Sequence, residues 1–205
     1  GQGGTDVVTI GSAGGTLLVS GLETLTGGTG SELVFLGTAG NTLSVSGIDI
    51  LIGGTGTDVV TFGSAGNTLL LRGIETLSGQ GGTDVITLGD TGNSVSVSLF
   101  EMVIGGTGTD AVTLGTAGNT LLVSAVETLT GAAGTDVVTL GSTLGNTLLI
   151  SGLETLTGAT GTDVVTLGTA GNTLLLSLLE TITGDAGTDV VTLGSVGGTL
   201  LASGL

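Results

Sequence analysis

The chain has 205 residues, including 44 glycines, and carries 17 acidic side chains against one basic one for a net charge of −16, with no proline, cysteine, tryptophan, tyrosine or histidine. Without cysteine there is no disulfide framework or thiolate metal site, and without histidine, cysteine or tyrosine the usual catalytic bases and nucleophiles are missing, so no enzyme is expected. The negative charge repels phosphate backbones and anionic headgroups, which argues against nucleic acid and membrane as partners and in favour of cations.

Disorder is not expected either, because 39% of the residues are hydrophobic and low hydrophobicity is what keeps chains unfolded. The apolar runs are only a few residues long, too short for a membrane-spanning helix.

The first recognisable segment, GTDVVT, returns down the whole chain. Its acid falls at Asp6, Glu32, Asp58, Asp84, Asp110, Asp136, Asp163 and Asp189, at intervals of 26, 26, 26, 26, 26, 27 and 26. A period this strict means one small unit stacked on copies of itself, because such a unit cannot bury its own apolar face. The expectation is a single all-β domain over residues 1–205, a parallel β-solenoid of about eight coils that start near residues 1, 27, 53, 79, 105, 131, 158 and 184.

Residues 53–78, GGTGTDVVTFGSAGNTLLLRGIETLS, show the parts of a copy in order. Three short runs rich in Val, Leu, Ile and Thr, each bounded by glycine, predict three strands per copy and hence a roughly triangular coil. At the parallel-strand spacing, eight such coils make a rod about 40 Å long.

Alternation along the first run predicts that Val60 and Phe62 face inward and Val59 and Thr61 outward. In the second run Leu69 and Leu71 face inward. Leu70, with Leu18, Leu122, Leu149, Leu175 and Leu201, faces outward and forms an apolar stripe of the kind that marks association surfaces. The third run leaves two readings open: either Glu75 occupies a corner, or the Thr76 face turns inward, because an unpaired carboxylate in an apolar core is costly.

The remaining features stand at the turns. The single 27-residue interval comes from the turn GSTLGN at 141–146, one residue longer than GSAGN at 63–67, a harmless change for a surface turn. Asn41, Asn67, Asn93, Asn119, Asn146 and Asn172 predict a structural amide ladder, with Gly15 and Gly198 replacing asparagine in the end copies. The lone Arg72 reads as a solvated variant.

GGTGTDVVT at 53–61 and GGTGTDAVT at 105–113 fit the pattern G-G-x-G-x-D-x-U-x. In this the chain resembles the RTX calcium-binding repeat proteins of bacteria, with a divergent 26-residue repeat. The resemblance implies a secreted protein in which Ca²⁺ is held between coils by turn carbonyls and the recurrent acid, here Asp6, Glu32, Asp58, Asp84, Asp110, Asp136, Asp163 and Asp189. The second glycine of the pattern is replaced by Gln2, Gln80, Ala132, Ala159 and Asp185.

Electrostatics points toward cations independently: carboxylates stacked on successive coils would repel by roughly 1 kcal/mol per pair in water and about 3 to 4 kcal/mol at an effective dielectric near 20. The second acid series, Glu23, Asp49, Glu75, Glu101, Glu127, Glu154 and Glu180, has no glycine cradle and is the weaker candidate.

The function expected is structural: a repeat region of a secreted bacterial surface, adhesin or filament protein, in which copies of the rod pack laterally and end to end. The chain opens and closes mid-repeat without a polar cap, which suits a window on a longer array or a unit that stacks on itself. The alternative is ice binding, since Thr24-x-Thr26, Thr128-x-Thr130, Thr155-x-Thr157 and Thr181-x-Thr183 are similar to the rows on flat antifreeze solenoids. Ile50 with Ile52, and Met102 with Ile104, interrupt those rows.

Overall fold

The computed structural model describes residues 1, 3–142, 144–194 and 199–205. Among them the chain is all β, with no helix, and its 23 short strands divide between two parallel sheets of 12 and 11 strands. Sheet A begins with Val7–Thr9 and sheet B with Gly15–Val19. Successive strands alternate between the sheets, so each turn of the chain lays one strand on A and one on B. The fold is a flattened β-solenoid, and the strands are short because glycine-rich turns recur before a longer run can form.

Coil and repeat do not coincide. About eleven turns of ~17 residues replace the expected eight triangular coils of 26. Thr42 pairs with Val59, and Val59 with Thr76, so the register advances by 17 residues between those neighbours. Each repeat does supply three strands, but two sheets can accept only two strands per turn. Two repeats therefore fill three turns, and equivalent strands of consecutive repeats land on opposite sheets. At ~4.8 Å per turn the rod is about 50 Å long.

The core is the slot between the sheets. Val60 and Phe62 point into it, as do Leu69 and Leu71, while Val59, Thr61 and Leu70 point away. In the third strand of the same copy, Thr76–Ser78, Leu77 is inward and fully buried. Glu75 stands just ahead of that strand at the corner, which decides between the two readings of this run without placing a carboxylate in the core. Phe62 and Phe100 meet edge to face with centroids 5.1 Å apart, a favoured aromatic geometry.

Backbone closeness explains two invariant glycines of the nonapeptide. A Cβ on Gly53 would overlap the carbonyl oxygen of Gly73, and one on Gly56 would overlap the amide nitrogen of Gly40. Leu144, in the longer turn at 141–146, stands 92% exposed, as a surface insertion should; Thr143 of that turn lies outside the described residues.

Candidate functional site

The polar residues of the repeat gather at the two edges where the chain passes from one sheet to the other. Along the edge that enters sheet A run Asn41, Asp58, Glu75, Asn93, Asp110, Glu127, Asn146, Asp163 and Glu180. The edge that enters sheet B carries Asn67, Asp84, Glu101, Asn119, Asp136, Glu154, Asn172 and Asp189. The three ladders expected from sequence are thus interleaved into two columns of repeating Asn, Asp and Glu.

Each triad is bonded from coil to coil. Asp58 Oδ1 accepts from the Asn41 amide nitrogen at 2.9 Å and from Asn41 Nδ2 at 2.8 Å, and its Oδ2 accepts from Gly54 N at 3.0 Å. Asp58 N donates to Glu75 Oε2 of the following coil at 2.7 Å. Asn41 Nδ2 also donates to Ala39 O at 2.7 Å within its own turn. The asparagines therefore do not bond one another as a homogeneous ladder would; each is matched to an aspartate, which can accept from both the amide and the backbone. Gly15 stands where the corresponding column needs asparagine, and Gly198 lies outside the described residues.

Interleaving changes the electrostatics expected of the first acid series. Asp58 and Asp110 share a column but are separated by the coils of Glu75 and Asn93, about 14 Å along the rod, beyond the Debye length at physiological salt. The close acidic neighbours are an Asp and a Glu, and the Glu reaches the Asp backbone N–H.

Asp58, Asp84, Asp110, Asp136 and Asp163 are all 0% exposed. Each accepts from two donors of an asparagine through Oδ1 and from a backbone N–H through Oδ2. A cation there would have to displace those donors, so these five carboxylates fit Ca²⁺ poorly. The Asp189 carboxyl is held below its ordinary value, first by the Asn172 side chain and then by the Asn172 backbone N–H. Asp6, at the first turn, lies 3.9 Å from the terminal ammonium of Gly1.

Three acids of the series, Asp6 and Asp189 in the end turns and Glu32, each have one buried carboxylate oxygen without a hydrogen-bond partner, and Glu32 is set apart from the other two by its neighbours. The usual Asp-then-Glu order is reversed to Glu32 followed by Asp49, which leaves the combined side-chain length unchanged, and Gly15 provides no amide below. Glu32 Oε1 accepts from Gly28 N at 3.2 Å, while Oε2 is buried and has no hydrogen-bond partner. Asp49 Oδ2 accepts from Glu32 N at 2.8 Å. Glu32, Asp49, Thr29 and Asn67 help line a polar cleft of about 210 Å³. Two hard oxygen donors beside a cleft suit Ca²⁺ better than the saturated aspartates do. Among the described residues no group of three or more acidic side chains is clustered to hold a metal.

The outward faces differ in composition as far as about residue 124. On sheet A, Thr24, Ser44, Thr61, Ser78 and Ser98 pair strand by strand into one hydroxyl row. Thr76, Ser96, Thr113, Thr130 and Ser151 form another. On sheet B the rows read Leu18, Phe35, Ile52, Arg72 and Leu33, Ile50, Leu70, Thr87, Ile104, with Val85, Met102, Leu122 on the row beside them; farther along the rod Thr139, Thr155, Thr157 and Ser177 bring hydroxyls to this face as well. Ile50, Ile52, Met102 and Ile104, which interrupt the Thr-x-Thr pattern in sequence, all fall on sheet B, and so does the Thr155–Thr157 pair; sheet A carries the pairs of Thr24–Thr26, Thr128–Thr130 and Thr181–Thr183, with Val59, Ala111, Leu149 and Val164 among its hydroxyls. The apolar stripe expected from Leu18, Leu70, Leu122, Leu149, Leu175 and Leu201 is split, because Leu149 and Leu201 belong to sheet A.

Compared with protein-family models, curated proteins and solved structures, the chain matches none.

Proposed function

We propose that this β-solenoid is a structural rod, a repeat region of a secreted bacterial surface, adhesin or filament protein that associates with copies of itself. The observation that carries the reading is the use made of its acids: five wholly buried aspartates bond each coil to the next. Residues committed to cohesion along an axis serve length and stiffness, and the chain has no histidine, cysteine or tyrosine to set beside them for catalysis. Electron microscopy of the purified protein, with and without chelator, tests the reading. Rods that assemble further are expected; short monodisperse monomers under both conditions would overturn it.

On this reading Ca²⁺ is an accessory that belongs at Glu32 and Asp49. Calorimetric titration with Ca²⁺ should find a single class of site, lost in Glu32→Gln. Heat equivalent to many sites per chain would return the ion to the aspartate series.

The second reading is ice binding, and what favours it is the placement of the hydroxyl rows. Sheet A presents Thr and Ser at regular intervals on an extended β surface, with the interrupting isoleucines on the other side. A thermal-hysteresis measurement decides it, since the absence of a freezing-point gap removes this reading.

A further inference from the structure

We propose that the outward face of sheet B is the contact surface for a second copy of this chain, packed face to face against the same sheet. The inference rests on the self-associating rod and names the surface through which it associates.

Phe35, Ile50, Ile52 and Leu70 project from three adjacent strands of sheet B, and Met102 and Ile104 from the next strand but one, with Val85 and Thr87 on the strand between. Sheet B has 11 strands. At ~4.8 Å per strand, and with two outward rows covering about 14 Å, its face offers roughly 700 Å² per copy, or about 1,400 Å² in a pair. The whole face lies within the range of stable protein interfaces; its mainly apolar part, the strands from Gly15–Val19 to Thr120–Ser124, covers about 470 Å² per copy, at the upper end of what a monomer leaves in water.

Charge favours the same partner. Two rods of net charge −16 repel, so contact requires a surface from which the acids are withheld. Fifteen of the 17 acidic residues occupy the sequence positions of the two edge columns, the exceptions being Asp90 and Asp185. The one basic side chain, Arg72, sits on sheet B with its guanidinium 3.7 Å from Asp90, a local ion pair at the margin of the face. Sheet A is equally free of acids but presents hydroxyl groups that water already satisfies, so the gain from burying it is smaller.

Because repulsion between the edges opposes this contact while apolar burial drives it, association should strengthen with salt. A contact built on ion pairs would weaken.

Sedimentation of the whole chain over a range of protein and salt concentrations, compared with a variant carrying Phe35→Thr, Ile52→Thr, Met102→Thr and Ile104→Thr, tests the proposal. The parent is expected to associate, more strongly at high salt, and the variant to lose at least 100-fold in affinity. Since the chain has no cysteine, single substitutions supply a readout that does not depend on the fourfold variant folding. Under oxidation Ile104→Cys should give a covalent dimer, and Thr130→Cys on sheet A should not. If the rods associate but Thr130→Cys crosslinks and Ile104→Cys does not, the sheet B proposal falls while the self-associating rod stands. If the parent is monomeric at every concentration, both fall.

Discussion

Sheets A and B have interchangeable inward faces and contrasting outward ones. Inside, each contributes Leu, Val and Ile at alternate positions; Leu129 on A and Leu156 on B are both 0% exposed. Outside, as far as about Leu122, A bears mainly Thr and Ser where B bears mainly Ile, Phe, Met and Leu; beyond it Thr155 and Thr157 give sheet B the same hydroxyl pair as sheet A. The contrast follows from the mismatch between repeat and coil. Odd-numbered copies send their third strand to sheet A, as with Thr24–Thr26, Thr76–Ser78 and Thr128–Thr130, and even-numbered copies send theirs to sheet B, as with Ile50–Ile52 and Met102–Ile104. The unit that specifies a face is therefore a pair of repeats, and a substitution made in every second copy alters one side of the rod alone.

The largest test concerns the inward equivalence. Leu129→Ala and Leu156→Ala should each destabilise by about 2–5 kcal/mol, through lost burial and the cavity left behind. Stacked repeats can unfold in sections, so amide exchange around each site is the appropriate measure beside global denaturation. The two losses should agree within about 1 kcal/mol; a larger difference would mean that the sheets are not interchangeable inside.

Next come the edges, which join the two faces. Asp110→Ala on the edge entering sheet A leaves Asn93 N and Gly106 N without an acceptor and removes one of three from Asn93 Nδ2, which keeps Gly89 O and Thr91 O. Asp136→Ala does the same on the other edge to Asn119 N and Ala132 N, while Asn119 Nδ2 keeps Gly115 O and Ala117 O. Buried donors left unpaired cost about 1–3 kcal/mol each before relaxation, so a loss of about 2–4 kcal/mol is expected from either variant. Chemical denaturation that showed one edge indifferent to its aspartate would separate the edges as the faces are separated.

Much of this fold was legible in the sequence. The repeat implied a solenoid, and strict alternation oriented Val60, Phe62, Leu69 and Leu71 correctly. The coil length was misread because it was equated with the repeat, although the polar residues carry the correct one: Asn41, Asp58, Glu75 and Asn93 are spaced by 17, 17 and 18 residues. Reading asparagine, aspartate and glutamate as one series would have disclosed the columns. Their chemical difference concealed that they occupy equivalent corners. The unpartnered Glu32 Oε2 is different in kind, because it depends on Gly15 and Asp49 meeting Glu32 from adjacent coils, and no single repeat contains all three.

Outward substitutions should have smaller effects on the monomer and differ by face. Thr128→Ile on sheet A and Ile104→Thr on sheet B should each change unfolding free energy by no more than about 1 kcal/mol, the span of strand propensities. Differential scanning fluorimetry at low protein concentration, where association is suppressed, measures this term. A loss well above that span from Ile104→Thr would mean that the outward face of sheet B is part of the folding core.

The smallest expected effect lies at the corners between the second and third strands of each copy. Gly47, Gly73 and Gly152 occupy such corners with φ of 62°, 59° and 64°, whereas Leu99 and Leu178 stand at the equivalent positions with φ of 60° and 55°. A β-carbon in that left-handed region costs about 1–2 kcal/mol. Burial offsets only part of it, since the two leucines are 47% and 40% exposed. Glycine loses more backbone entropy on folding, about 0.5–1 kcal/mol, so Leu99→Gly and Leu178→Gly should each stabilise by roughly 0.5–1 kcal/mol. Leu99 lies where the chain leaves sheet A and Leu178 where it leaves sheet B. Equal gains in denaturant midpoint would show that the two edges share one backbone geometry, however different the faces between them. A loss at either position would mean that its leucine packs against something outside the single rod, and a loss confined to conditions of association would identify that neighbour as a second copy.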